Sequence, residues 1–289
     1  MTHDHDHSLL DWDEMTPLLE RGAELETPLY RRAADWMGEL LPVPAVRRVV
    51  DFGSGPGVLT AVLAEAFPYA SLVAVDPTPQ LLERAADRAR HGGYGDRFES
   101  RHAELPLRPG QRDDLGGADL VWAGNVVHHV GDQRAALAEL GGLLRPGGLL
   151  AVVEGGLPSR ALPRDLGMGR PGLEARIDAA HAEWFQKMRD ALPGATATTE
   201  DWRTLLTDAG LAPAGTRSFL LDIPAPVPAV VREHLVHVFT RQREVMGGLL
   251  AADDIAVLDR LLDPEDPQGL FLRPDLYQLS VRTVHLARR

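Results

Sequence analysis

The chain of 289 residues has no cysteine, which removes disulfides, thiolate metal sites and a cysteine nucleophile, and makes the redox state of its compartment irrelevant to folding. Lysine is nearly absent as well: among 30 basic residues only Lys187 is a lysine. With abundant Ala, Gly and Pro, that skew toward arginine is a bias of GC-rich bacterial codons and not a set of functional arginines. No apolar run approaches the ~20 residues that cross a bilayer, and the start MTHDHDHSLL lacks the positive charge and apolar stretch of a signal peptide. A cytoplasmic chain without a membrane partner is therefore expected. Positive charge is in deficit, with a net charge of −12, which weighs against DNA or RNA as partners because these need a clustered basic surface. What remains, 44% hydrophobic and 25% charged residues, describes a soluble globular chain long enough for one catalytic domain with additions.

The most informative segment is VVDFGSGPG, Val49 to Gly57. Two strand-forming valines lead to Asp51; then Gly53, Gly55 and Gly57 allow backbone conformations closed to residues with a Cβ and let a ligand approach the main chain. Leu59, Val62, Leu63 and Ala66 follow at helical spacing. The next short apolar strand, Ser71 to Val75, ends at Asp76, 25 residues after Asp51. An acid at that place in a nucleotide-binding α/β fold accepts hydrogen bonds from ribose hydroxyls. The glycines fall as GxGxG, whereas a dinucleotide loop reads GxGxxG and aims a helix N-terminus at a pyrophosphate. S-adenosylmethionine has no phosphate and carries cationic sulfonium and amino groups, for which Asp51 is the better neighbour.

At these residues the chain resembles the class I S-adenosylmethionine-dependent methyltransferases, in particular the small-molecule enzymes with the motif (V/L)(L/V)DxGxGxG. The resemblance covers roughly residues 45–155 and extends to VDPTPQLLERA (Val75 to Ala85), ADLVWAGNVVHHV (Ala118 to Val130) and LLRPGGLLAVVEGG (Leu143 to Gly156). It implies an α/β fold: a Rossmann-like, seven-stranded, doubly wound sheet with its last strand antiparallel, N-terminal helices and helical lid insertions. It also implies S-adenosylmethionine as cofactor, with Asp51, Gly53, Ser54, Gly55 and Gly57 around the methionine part, Asp76 on the ribose, and Pro77 and Gln80 near the adenosine. Asn125 closes the fourth strand beside it. Where the family has an acid before Ala at the third strand's end, this chain has His102 before Ala103. His102 either accepts the adenine's hydrogen bond through an unprotonated ring nitrogen or is an exposed strand-end histidine.

The expected organisation is an N-terminal helical cap (1–44), the cofactor-binding core (45–156), a helical lid insertion (157–200) and a C-terminal part of the core (201–289) carrying a helical insertion (229–262). Two helices are expected in the cap, Thr16 to Glu24 and Thr27 to Leu41, each opening with Thr-Pro. Tyr30 in the second is a candidate for the cofactor carboxylate or the substrate, and otherwise a packing residue. The HDHDH run, His3 to His7, is read as a tail, because consecutive residues rarely give a defined coordination geometry. In the lid, Leu173, Ile177, Trp184, Phe185 and Met188 form one apolar face with His181 near it, which makes His181 and Trp184 candidate substrate contacts if the stripe is pocket and not core. The second insertion enlarges the pocket or makes a homodimer surface; its His234 and His237 lack a carboxylate partner in sequence, and no metal is expected.

Methyl transfer from a sulfonium is an in-line displacement, so alignment and exclusion of water do most of the work. A hydroxyl or protonated amine acceptor also needs a base. His128 and His129 follow Asn125 at the carboxyl end of the fourth strand, where open α/β sheets bind ligands. Only one of two adjacent side chains faces a pocket; His129 is the favoured base, with His128 and Glu154 as the other candidates. The reading is methyl transfer to O, N or C of a small-molecule acceptor, in a secondary-metabolism setting. Its alternatives are a protein that binds S-adenosylmethionine without methylating, as regulator or rearrangement catalyst, and an NAD-dependent oxidoreductase.

Overall fold

Val49, Val50 and Phe52, Leu72 to Val75 and Leu120 to Ala123 are apolar runs without alternation, as strands covered on both faces require. In the computed structural model, which describes residues 12–289 and side chains from Glu20 onward, they form the parallel centre of a sheet. The HDHDH segment lies outside the described residues. In chain order the elements are α1 (Trp12–Leu40), β1 (Arg48–Phe52), α2 (Val58–Ala66), β2 (Ser71–Asp76), α3 (Pro79–His91), β3 (Phe98–His102), α4 (Gln111–Leu115), β4 (Ala118–Gly124) and α5 (Gln133–Gly142). Then come β5 (Leu144–Arg160), α6 (Leu173–Asp190), α7 (Trp202–Asp208), β6 (Ala212–Ile223), α8 (Ala229–Met246), α9 (Ala252–Leu262) and β7 (Gln278–Arg288). The strand order is β3-β2-β1-β4-β5-β7-β6, with β7 antiparallel to both neighbours. This is the expected doubly wound, Rossmann-like sheet.

One face of the sheet packs on α1 and α2, through Leu29, Met37, Leu63 and Phe67 against Leu72, Leu120 and Leu149. The other packs on α5 and α7, through Leu137, Leu140 and Leu206 against Val50, Val121 and Leu150. A third apolar cluster joins α6, α8 and α9 beyond the strand tips, through Ile177, Leu235, Phe239 and Leu258. Burying each such side chain contributes about 1.5–3 kcal/mol.

The structure corrects three expectations. First, the cap is one helix, not two: α1 runs through Pro28. A helix-interior proline forfeits a hydrogen bond at a cost of about 3 kcal/mol. Here Leu29, Ala33 and Met37, after the proline, are wholly buried, and Arg88 of α3 pairs with Glu20 and Glu24 before it, so packing on both sides outweighs the local stop signal. Second, β5 does not stop at Gly156 but continues to Arg160 through a bulge at Gly155 and Gly156. A Cβ on Gly156 would run into the carbonyl oxygen of Val281, so glycine there permits β7 to pass close by. Third, the lid stripe divides: Leu173, Ile177 and Ala180 are buried, whereas Trp184, Phe185 and Met188 are half-buried and His181 is exposed. The first turns of α6 belong to the third core and the later ones face the strand tips.

Candidate active site at the strand tips

The turn after β1 is fastened to β2 by backbone: the N–H groups of Gly53 and Ser54 both donate to the Val75 carbonyl, at 2.7 and 3.0 Å. Gly55 and Gly57 have φ of +52° and +79°. A Cβ on Gly57 would sit 2.8 Å from the Ala85 Cα, so glycine lets α3 close on the turn; a Cβ on Gly55 would touch nothing within 4 Å. Open space therefore lies against the main chain at the place where S-adenosylmethionine's methionine part is expected, and the residues fit that group.

Asp76 reaches the same turn. Its Oδ2 accepts from the Gly55 N–H and its Oδ1 from the Thr78 N–H, both at 2.9 Å, and burial raises its pKa above the usual carboxylate range. Asp51 lies under the turn, 1% exposed, with Oδ2 accepting from the Thr60 hydroxyl at 2.6 Å. Burial pushes its pKa up to about 7, against the lowering effect of that hydrogen bond. Ser54 is buried, Pro77 half-buried and Gln80 exposed at the start of α3. His102 Nε2 lies 2.9 Å from the Pro77 carbonyl, so it donates, and the neutral ring then offers Nδ1 as acceptor. Ala103 is buried beside it, its N–H donating to the Asp76 carbonyl at 3.4 Å.

β4 ends at Gly124, and the next residue, Asn125, with a φ of +56°, turns the chain into a single 3-10 turn, Val127–His129. Glu154, 4% exposed where β5 passes the end of β4, holds that turn. Its Oε1 accepts from the N–H groups of Val127 and His128, at 2.8 and 3.3 Å, and its Oε2 is 2.8 Å from His128 Nδ1. With Nδ1–H donating to the carboxylate, His128 presents Nε2 as a proton acceptor. His129 is exposed, its ring centroid 4.1 Å from that of His128. His129 is the base the sequence favours; the geometry shows an orienting carboxylate on His128, with both Glu154 oxygens engaged by the turn. Phe185 of α6 lies against His128, with centroids 5.6 Å apart, and His181 and Trp184 continue the row at 5.5 Å.

Tyr30 of α1 is buried with its ring edge on Trp122, and its hydroxyl donates to Glu26 at 2.9 Å. Burial first, and Glu26 second, hold its pKa far above the ordinary phenol value, so the hydroxyl stays protonated. Glu26 also pairs with Arg282 of β7 at 2.7 Å. Burial opposes the charge of Arg282, yet Glu26 keeps its pKa above the usual value.

Sequence reasoning missed Glu26, Arg282 and Arg189. Arg189, buried at the end of α6, donates from Nη1 to the carbonyls of His128 and Val130 at 2.8 and 2.6 Å, which ties the lid helix to the histidine turn. Its signal was its place four residues after Phe185, on the apolar face of an amphipathic helix. Among the described residues no group of three or more side chains has metal-ligand geometry, and no helix is long and apolar enough to cross a membrane.

A family profile described as a methyltransferase domain matches residues 50–150. The trans-aconitate 2-methyltransferase of Methylobacterium nodulans is 33% identical over 205 residues, which are 68% of this chain and 72% of that protein. The protein of the same name from Methylobacterium radiotolerans is 33% identical over 183 residues, 60% of this chain and 66% of the relative. An uncharacterized methyltransferase of Mycobacterium tuberculosis is 38% identical over 117 residues, 38% of this chain and 52% of the relative. The chain thus spans less than two thirds of the length of these last two relatives.

Proposed function

The chain belongs to the class I S-adenosylmethionine-dependent methyltransferases, and from that premise we propose that it methylates O, N or C of a small-molecule acceptor, with a hydroxyl oxygen the atom this site serves best. The hydrogen bond between Glu154 and His128, 2.8 Å long at the strand tips, carries the reading. A carboxylate that fixes one imidazole nitrogen as donor leaves the other as a base and stabilises the imidazolium that forms. A hydroxyl acceptor has a proton for that base to take.

S-adenosylmethionine, when bound, supplies an electrophilic methyl group. Gly53, Gly55, Gly57 and Asp76 hold the cofactor and orient it, while Asn125 and Tyr30 border its methionine end. His128 Nε2 takes the acceptor's proton, and its ring, 17% exposed, returns that proton to water. Phe185, against His128, and Trp184, next to His181 on the same helix, exclude solvent from the aligned acceptor. In this reading residues 1–44 cap the core of 45–156, residues 157–200 act as the lid, and 201–289 complete the sheet with the 229–262 insertion against the pocket. The acidic charge and the arginine-rich codon bias support a small-molecule acceptor in bacterial secondary metabolism, handled in the cytoplasm without nucleic acid.

Calorimetry against S-adenosylmethionine, S-adenosylhomocysteine and NAD tests the cofactor. Micromolar binding of both adenosyl ligands and none of NAD is expected, followed by acceptor-dependent formation of S-adenosylhomocysteine. Binding without that product would return the protein to a non-methylating role, and binding of NAD alone would make it an oxidoreductase.

A further inference from the structure

The peptides of the glycine turn are held by different means. The N–H groups of Gly53, Ser54 and Gly55 donate to β2 and its acid, and that of Gly57 donates to the Ser54 carbonyl at 3.1 Å. The Pro56 carbonyl, on the opposite side of the Pro56–Gly57 peptide, is held by a side chain: Arg88 of α3 donates to it from Nε at 3.2 Å. Gly57 has a φ of +79°, and glycine resists rotation of its neighbouring peptides less than any other residue. The two hydrogen bonds, one at each end, therefore set the orientation of that peptide.

The same guanidinium reaches α1. Its Nη2 lies 3.0 Å from Glu24 and 3.5 Å from Glu20, with 26% of the side chain exposed. Arg88 borders a cavity of about 710 Å³ between α1, α2 and α3, so these polar partners, more than packed neighbours, hold it in place. The first half of α1 depends on ties of this kind: no residue from 20 to 28 is fully buried, whereas Leu29, Ala33, Ala34 and Met37 after Pro28 are. Arg21 pairs with Glu233 of α8 at 3.1 Å, and Glu26 with Arg282 of β7. Of these ties, the one through Arg88 ends on the cofactor turn.

We propose that Arg88 is a positioning residue for the cofactor, acting through the turn: it holds the Pro56–Gly57 peptide in the binding orientation and makes Glu20 and Glu24 of α1 part of the same unit. This rests on the methyltransferase reading. Released from Arg88, the turn divides its time among orientations of that peptide, and the observed affinity falls with the fraction that remains competent. Coupling of this kind is reciprocal, so bound cofactor steadies the first half of α1 in return. Lysine is a poor substitute, because the arginine fork presents Nε to the carbonyl and Nη2 to the carboxylates at once, whereas an ammonium is a single point on a flexible stem.

Calorimetry with S-adenosylhomocysteine tests this on the wild type, Arg88→Ala, Arg88→Lys and the double variant Glu20→Gln with Glu24→Gln. Arg88→Ala should weaken binding about tenfold, as loss of a charge-assisted hydrogen bond does. The glutamine pair, which keeps the bond to Pro56, should weaken it about two- to fivefold, the range of partly exposed ion pairs. Arg88→Lys should stay at least about threefold weaker than the wild type. Amide exchange in residues 20–27 should slow at least about threefold when the ligand saturates the wild type, and not measurably in the glutamine pair. Wild-type affinity in Arg88→Ala or in the glutamine pair, whatever their melting temperatures, overturns the proposal. So does full recovery by Arg88→Lys, or equal slowing of exchange in the glutamine pair and the wild type, and each of these leaves the cofactor assignment intact. Should Arg88→Ala not fold, the lysine and glutamine variants carry the same test. Failure of the wild type to bind S-adenosylhomocysteine brings down the methyltransferase reading instead.

Discussion

At the tips of β1 and β2 the surface that meets a ligand is mostly backbone: the turn from Gly53 to Gly57, latched to β2 and braced by Asp76. Across the tips of β4, β5 and β7 it is side chain: His128, Glu154 and Arg282, with Glu26 and Tyr30 of α1, drawn from segments far apart in sequence. A backbone cradle binds what every member of a family shares and tolerates little change, because its atoms cannot be substituted one at a time. A side-chain chamber can be retuned residue by residue, and in the proposed function acceptor choice belongs to it.

The contrast breaks most sharply at the histidine pair. His128→Ala should lower turnover about 10²–10⁴-fold and leave S-adenosylmethionine affinity within about twofold, while His129→Ala should cost less than tenfold. Steady-state rates beside calorimetry read both, and the reverse ranking would return the base to His129. On the backbone side, Gly57→Val forces a branched residue to φ +79° against the Ala85 backbone. It should weaken cofactor binding by about 3 kcal/mol or more, whatever the acceptor.

Asp51 gives a pH-dependent effect of about 4 kcal/mol, the equivalent of its shift from 3.8 to about 7. The unfolded carboxyl ionises near its model-compound value of 3.8, whereas the folded one holds its proton until about 7. Between those values the unfolded state binds fewer protons, so the stability of the ligand-free protein should fall as pH rises from about 4 to 7 and then level off. Asp51→Asn should flatten that slope in melting temperatures taken across the range. The smallest change is expected from Arg189→Ala, about 1–3 kcal/mol of stability lost with its hydrogen bonds to main-chain carbonyls. Turnover should fall further than cofactor affinity, because α6 then no longer holds the His128 turn; Arg189→Lys should restore stability only in part.

What was legible follows the same division. The strands and the cofactor turn announce themselves because parallel strands buried on both faces must be continuous apolar runs, and a turn with positive φ must be glycine. Asp76 was legible because its distance from the turn is set by one βαβ unit. The union of two cap helices across Pro28 was not, since it depends on packing against β-strands that lie later in the chain. Nor was the passage of β5 through Gly155 and Gly156, where a glycine pair reads as an end unless the neighbouring Val281 carbonyl is known. The bond of His128 to Glu154, 26 residues away, on which the proposed base rests, was not legible, because nothing local distinguishes two adjacent imidazoles.

The ion pair between Glu26 and Arg282 joins residues separated by 256 positions. During synthesis a chain emerges at roughly 5–20 residues per second, with N-terminal parts folding first. The glycine turn and its acid are complete within the first third of the sequence, whereas Glu26 waits tens of seconds for its counter-ion. Until β7 inserts between β5 and β6, the space beneath α1 has one wall missing, and the nascent protein has a cofactor cradle without an acceptor chamber. Under the proposed function, a ribosome-bound or C-terminally clipped chain would keep its adenosyl cradle and lack a wall of its acceptor chamber, which makes quality control of the last strand control of specificity as well.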